Sequence, residues 1–128
     1  MAGIFDDLVV AAERYKLLTG RYLQIWGELG ELDGELIYGI ARHAPNTQGS
    51  DGRLGNDFDE IKTISPEKSA GRIAVKRAGN FSKLLIVRID DQFRFEGRMI
   101  ERRTIGKGAG KMARVRWNVE TLTKPENT

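Results

Sequence analysis

The chain reads as an α+β domain, N-terminal helices followed by a central twisted mixed β-sheet. Three observations point there. Residues 4–42 carry apolar side chains at three- and four-residue steps, and residues 58–117 carry short apolar runs and alternating segments. A stretch rich in Gly, Asn, Asp, Ser and Pro at 43–57 separates the two. With 128 residues, 40% of them hydrophobic, the chain suffices for one core. The expected organisation is a single domain, 1–128, with a helical region at 1–42 and a sheet-rich core at 43–128.

The first helix is expected over 4–19, with Phe5, Leu8, Val9, Ala12 and Tyr15 on one stripe and Gly20 as its stop. The second is expected over about 21–42, on Leu29, Leu32, Leu36 and Ile40. It contains Gly27, Gly30, Gly34 and Gly39. Each costs about 1 kcal/mol against alanine, so close approach of another backbone or a bend must compensate. Phe58–Ile64 reads as a strand, with Pro66 marking its exit. A further strand is expected over Arg72–Arg77. Lys83–Ile89 has a continuous apolar centre and belongs inside the sheet. Asp90-Asp91 turns into Phe93–Met99, and Met112–Trp117 is the last strand, with Ala113, Val115 and Trp117 facing one way and Arg114 and Arg116 the other. Trp26 and Trp117 are assigned to the core or an interface.

Composition excludes several function classes. There is no cysteine, so disulfides, thiolate catalysis and sulfur-ligated zinc are ruled out, and the single His43 rules out sites needing two histidines. His43 is read as a favourable charge at a helix end. No apolar run approaches a membrane span, and the first residues lack a basic-then-apolar pattern, so a cytoplasmic protein without membrane partners is expected. The net charge of +3 is unevenly spread. Residues 1–65 hold six Lys/Arg against eleven Asp/Glu (net −5), and residues 66–128 hold fifteen against seven (net +8). Carboxylates for a cation beside Lys/Arg for phosphates suit a metal-dependent enzyme on a polyanion; mutual attraction of two halves, or solvated faces, is the plainer explanation.

The informative segment is GSDGRLGNDFDEIKT, 49–63. In Glu60-Ile61-Lys62 an acid and an amine stand two apart on a strand, so they share a face while Ile61 takes the other. A half-buried carboxylate and ammonium need each other, water or a metal. Asp51 lies nine residues earlier, across a turn for which Gly52 and Gly55 supply backbone freedom, and a hairpin of that length brings it beside Glu60. Phosphodiester hydrolysis would use these groups directly. Asp51 and Glu60 offer hard oxygen ligands for Mg²⁺, which takes only one or two protein carboxylates, and Lys62 would stabilise the attacking water or a phosphate oxygen.

At these residues the chain resembles the PD-(D/E)XK nuclease superfamily, whose active-site hairpin is an acid, a short gap, then acid-x-Lys on the next strand. It is particularly similar to the PvuII-type restriction endonucleases, in Gly49-Ser50-Asp51 and in Phe58-Asp59-Glu60-Ile61-Lys62-Thr63. The resemblance extends loosely into Lys83–Met99 and does not cover the first 40 residues. It implies a metal-dependent DNA endonuclease of restriction-endonuclease-like fold, a mixed sheet flanked by helices, with Mg²⁺ as cofactor and Mn²⁺ as a substitute. The superfamily's usual proline before the first Asp is Ser50 here, and a second Gly-polar-Asp, Gly55-Asn56-Asp57, makes Asp57 a rival first carboxylate. Strand parity and the lack of room for a turn favour Asp51.

Many superfamily members add a glutamate from an early helix. Glu28, Glu31 and Glu35 share one helix face; Glu31 and Glu35 are the candidates, against a solvated acidic face. Arg94, Arg98, Lys107, Lys111, Arg114 and Arg116 are candidate nucleic-acid contacts, explained equally well as solvated faces. Gly106–Lys111 falls one residue short of a phosphate-binding loop and continues with Met112. A chain this short would cut both strands of DNA as a homodimer, with the glycine-rich helix as the expected mating surface. The competing functions are a non-catalytic nucleic-acid-binding module on the same scaffold, and a purely structural Glu60–Lys62 ion pair.

Overall fold

The computed structural model describes residues 1–45, 47, 49–68, 71–105 and 110–117. Two helices, α1 (Ala2–Thr19) and α2 (Trp26–Tyr38), precede seven strands: β1 (Ala41–Arg42), β2 (Gly52–Leu54), β3 (Asp57–Ile64), β4 (Arg72–Lys76), β5 (Lys83–Ile89), β6 (Phe95–Glu101) and β7 (Met112–Arg116). Five of them form a mixed sheet in the order β1-β2-β3-β5-β6, in which only the central β3–β5 pair is parallel; β4 and β7 form a separate antiparallel ribbon. The fold is α+β, as expected. Among the described residues no helix is long and apolar enough to cross a membrane.

Three layers result. On one side of the sheet Ile61, Leu85, Val87 and Ile89 pack against Trp26, Leu29 and Ile40, with Phe5, Leu8 and Val9 of α1 beyond them. On the other side Ile64, Leu84, Ile86 and Ile100 pack against Ile73, Val75, Ala113, Val115 and Trp117. Central β5 is buried on both faces, which is why its apolar run is continuous. A parallel pair needs a crossover of a dozen or more residues. Here it runs from Ile64 to Lys83 over the second face, carries β4, and is closed by β7. Arg102 fastens it: its guanidinium lies over the Phe81 ring and donates to the carbonyls of Arg77, Gly79 and Phe81. Both tryptophans are buried.

Several expected bounds shift for physical reasons. The second helix starts at Trp26 and ends at Tyr38, where Gly39 adopts φ 74° and its N–H caps back to Gly34; the helical region therefore stops short of 42, and Ala41–Arg42 joins the sheet. His43, expected at a helix end, consequently lies in the loop after β1. Phe93 precedes β6 at φ 59°, held in a turn that the Asp90 carboxylate ties to the N–H groups of Gln92 and Arg94. The last strand pairs with β4 and stays outside the main sheet. Tyr15 and Leu36, expected on buried stripes, are exposed.

The helix glycines also have a different use. A Cβ on Gly30 would stand 2.0 Å from Thr63 Oγ1, and one on Gly34 would stand 3.0 Å from Ile61 Cδ1. Both let α2 lie directly on β3 and are filled by the chain's own sheet, so they do not form the mating surface expected of them. Gly27 alone meets nothing.

Candidate active site

The site forms where β3 loses its neighbour. β2 pairs with β3 only up to Gly52↔Asp59, around a two-residue turn whose first central position, Gly55 at φ 62°, is where glycine is needed. One step further along the hairpin register stands Asp51, opposite Glu60. The Asp51 N–H donates to the Asp59 carbonyl (2.9 Å), and Asp51's own carbonyl accepts from the His43 N–H (3.0 Å). Beyond that point this edge of β3 has no strand partner among the described residues, and the Asp51 carboxylate takes its place: Oδ2 accepts the Ile61 N–H at 2.7 Å. A buried-edge donor is thereby satisfied, and the carboxylate is fixed in orientation.

Glu60, Lys62 and Ile64 alternate onto one side of β3, the side the ribbon covers, while Ile61 and Thr63 face α2. Lys62 Nζ is 3.5 Å from Glu60 Oε2. The Glu60 carboxyl lies within hydrogen-bonding reach of Asp51, and its proton affinity is lifted well above the ordinary carboxylate range, by burial first and by Asp51 second, with Lys62 offsetting this only in part. Glu31 of α2 joins them. Its pKa is raised by burial and then by Asp51 and Glu28, against Arg42 and Lys62. Glu31, Asp51 and Lys62 line one open cleft of about 570 Å³, with Trp26, Thr63 and Glu67 on its walls. Glu67 accepts from Trp26 Nε1 at 2.8 Å, tying the exit of β3 to the start of α2.

The other expected residues separate clearly. Glu35 is bound to Arg42 Nε at 2.5 Å. Asp57 is turned to Lys83 (3.0 Å), which lowers its pKa, and by parity it projects away from Glu60. Arg94 pairs with Asp90 in its own turn, and Arg98 lies over the Trp117 ring at 4.6 Å. Lys111, Arg114 and Arg116 are exposed, and Lys107 lies outside the described residues.

Three features escape the sequence reading. Arg42 gathers the acidic face of α2, with Glu28 at 2.8 Å, Glu31 at 3.8 Å and Glu35 at 2.5 Å; the three like charges on one helix face were the available signal that a cation must stand nearby. His43 Nε2 is 2.9 Å from Ser50 Oγ, and its ring meets Phe58 edge-on, so Ser50 braces the loop immediately before Asp51. Asp59 is 0% exposed, neither of its carboxylate oxygens has a hydrogen-bond partner among the described residues, and burial raises its pKa to about 6. Among the described residues no group of three or more histidines or acids stands close enough to hold a metal ion. The donor set on offer is therefore two carboxylates, with Glu31 behind them. No protein-family model matches the chain, and no curated protein matches it.

Proposed function

We propose that the chain is a Mg²⁺-dependent endonuclease that hydrolyses DNA phosphodiester bonds, with Asp51 and Glu60 as metal ligands and Lys62 at the reacting phosphate. The observation that carries this reading is the Asp51–Glu60 pair at an open strand edge, with an ammonium 3.5 Å from one of its oxygens. The residues fit the ion. Their donors are hard carboxylate oxygens, their mutual repulsion is what a divalent cation relieves, and two protein carboxylates plus water and phosphate is the set Mg²⁺ commonly takes. Bound there, the ion would neutralise charge on the phosphate and make its water more acidic.

The chain's own groups do the rest. Asp51 is held by the Ile61 N–H, so its position does not depend on substrate. Lys62 projects beside Glu60, where its ammonium can donate to the attacking water or to a non-bridging phosphate oxygen as charge develops. Glu31 faces the same cleft, where its carboxylate can accept a hydrogen bond from water. One such site cuts one strand, so double-strand cleavage calls for two copies, mated by a surface other than Gly30 and Gly34; a solution mass equal to one chain in the presence of DNA removes the dimer.

The test is plasmid cleavage in Mg²⁺, in Mn²⁺ and in EDTA, wild type beside Lys62→Ala, both shown folded by circular dichroism. The expected result is cleavage lost in EDTA and reduced by roughly a hundredfold or more in the variant. If wild type cuts neither plasmid, linear DNA nor RNA with either ion but binds DNA in a salt-dependent way, the chain is a binding module. If Lys62→Ala lowers stability and alters no activity, the Glu60–Lys62 pair is structural.

A further inference from the structure

Phe58 is the one phenylalanine the fold leaves open. It is 36% exposed, whereas Phe5, Phe81, Phe93, Phe95 and both tryptophans are buried or half-buried. A ring turned to water forgoes the burial that usually stabilises it. Period two places Phe58 with Glu60 and Lys62 on one face of β3, at the end of the strand away from Ile64, which the ribbon covers. Two steps along a strand span about 7 Å, so the ring stands within one nucleotide's reach of the carboxylate proposed as metal ligand. The ring is also held in place. The Phe58 carbonyl accepts from the Ser82 N–H at 2.9 Å, and Phe58 pairs with Arg53 across the hairpin. The His43 ring meets it edge-on, with centroids 5.4 Å apart, and His43 Nε2 is 2.9 Å from Ser50 Oγ. Arg53 is fixed in turn through its Nε to the Gly55 carbonyl at 2.7 Å. A ring fixed on this scale loses little further freedom when a flat partner binds it.

We infer that Phe58 is a stacking platform for an unpaired base beside the scissile phosphate, so that the preferred substrate is single-stranded or locally unpaired DNA. The inference rests on the nuclease reading for the identity of its ligand. A base inside a duplex is stacked on its neighbours and reaches such a ring only at the cost of unstacking, whereas a single strand offers its faces freely. Stacking on an aromatic side chain works with any base, and Arg53 and Lys62 on the same face attract the adjoining phosphates. A protein partner fits less well. A lone ring among Arg53, Glu60 and Lys62 is not the contiguous apolar patch that such a partner covers, and the exposed apolar residues of α1, Ile4, Val10, Leu17 and Leu18, are aliphatic and lie on another element.

Binding is measured in EDTA, so that nothing is cut, by fluorescence anisotropy of a labelled single strand of mixed sequence and of the duplex made from it. Wild type is compared with Phe58→Leu, which keeps an apolar side chain, with Phe58→Tyr, which keeps the ring, and with Tyr15→Leu on α1 as an exposed-ring control. Wild type is expected to bind the single strand more tightly than the duplex. Phe58→Leu should weaken single-strand binding about tenfold without changing the slope of log K against log salt, because a base contact and no phosphate contact is lost. Phe58→Tyr and Tyr15→Leu should stay near wild type. In proton NMR the Phe58 ring signals, identified by their replacement in Phe58→Tyr, should move upfield on adding the single strand and stay in place on adding an abasic strand of equal length. Wild-type affinity in a folded Phe58→Leu overturns the proposal, as does an equal loss in Tyr15→Leu or tighter wild-type binding to the duplex. So does a lower melting temperature in Phe58→Leu with unchanged binding, which makes the ring a brace for the His43 loop, or a fall in its solution mass from two copies to one. If Phe58→Leu fails to fold, unmoved ring signals in the wild type overturn it. If wild type cuts nothing in Mg²⁺ while Phe58→Leu still loses single-strand affinity, the nuclease reading falls and the platform stands; if wild type cuts plasmid and Phe58→Leu binds as wild type does, the reverse holds.

Discussion

The two sides of the five-stranded sheet handle charge in opposite ways. On the helix side acids are buried or gathered: Glu28, Glu31 and Glu35 share one guanidinium, Asp57 has Lys83, and Asp33 and Asp59 are carboxyls buried to 7% and 0% exposure. On the ribbon side the cations of β4 and β7 stand in solvent without counter-ions among the described residues. Apart from Asp33 and Asp59, the acids named here have a cation within the chain; the ribbon cations have none among the described residues. Asp51, Glu60 and Lys62 sit where the two meet, at the uncovered edge of β3. The lesson is that unbalanced charge matters most where it has no internal partner.

The largest expected effect breaks the helix side mechanically. Gly30→Ala places a methyl 2.0 Å from Thr63 Oγ1, against a strand that cannot move without disturbing Asp51 and Glu60. A loss of about 3 kcal/mol in chemical denaturation is expected, as for overpacking in a tight interface. Gly27→Ala, three residues away on the same helix, meets nothing. It should gain up to about 1 kcal/mol from helix propensity. Equal effects at both positions would show that α2 does not rest on β3 as described.

Next in size is Asp59→Asn. The folded-state pKa of about 6 lies above the ordinary 3.8, so the folded protein holds that proton more tightly than the unfolded chain. The penalty is absent below about pH 4, where both states are protonated, grows between pH 4 and 6, and is complete above the folded pKa. Replacing the carboxylate should raise stability by about 2 kcal/mol at pH 7–8, somewhat less than the full shift implies because the amide is also buried, and by little at pH 4. Melting temperatures of both proteins at the two pH values check this. A constant difference across pH would mean that Asp59 is not the titrating group.

How much of this was legible follows from which interactions are local. Period two fixed the shared face of Glu60 and Lys62, and the turn at Gly55-Asn56 placed Asp51 in register with Glu60, because hairpin geometry depends on neighbours in sequence; Gly52, expected in that turn, lies in β2, where a Cβ would stand 2.8 Å from the Ala41 carbonyl oxygen. The alternation of Ala113, Val115 and Trp117 against Arg114 and Arg116 was readable for the same reason. Helix continuation through Gly39 was not excluded by periodicity, since Ile40 keeps the apolar step after the backbone has turned. Arg42's three carboxylates, Arg102's carbonyls and the pairing of β4 with β7 join segments up to 44 positions apart. No local pattern encodes such contacts, and a reading confined to windows sees only that Glu28, Glu31 and Glu35 repel and that the ribbon residues are basic.

The finest test of the comparison removes one cation from each side. Arg42→Ala leaves Glu28, Glu31 and Glu35 facing one another without their shared counter-ion, in a half-buried setting where water screens only in part. Stability should fall by about 1 kcal/mol, and Glu31→Gln in the same chain should restore part of it because one of the repelling charges is then gone. Arg72→Gln should do the reverse, gaining a few tenths of a kcal/mol by relieving Arg116 across the ribbon. High salt should shrink the Arg72 effect almost to nothing, since both side chains are exposed, and shrink the Arg42 effect less. Losses of the same sign at both positions would mean that the ribbon cations have partners within the chain, and the contrast between the two sides of the sheet would fail.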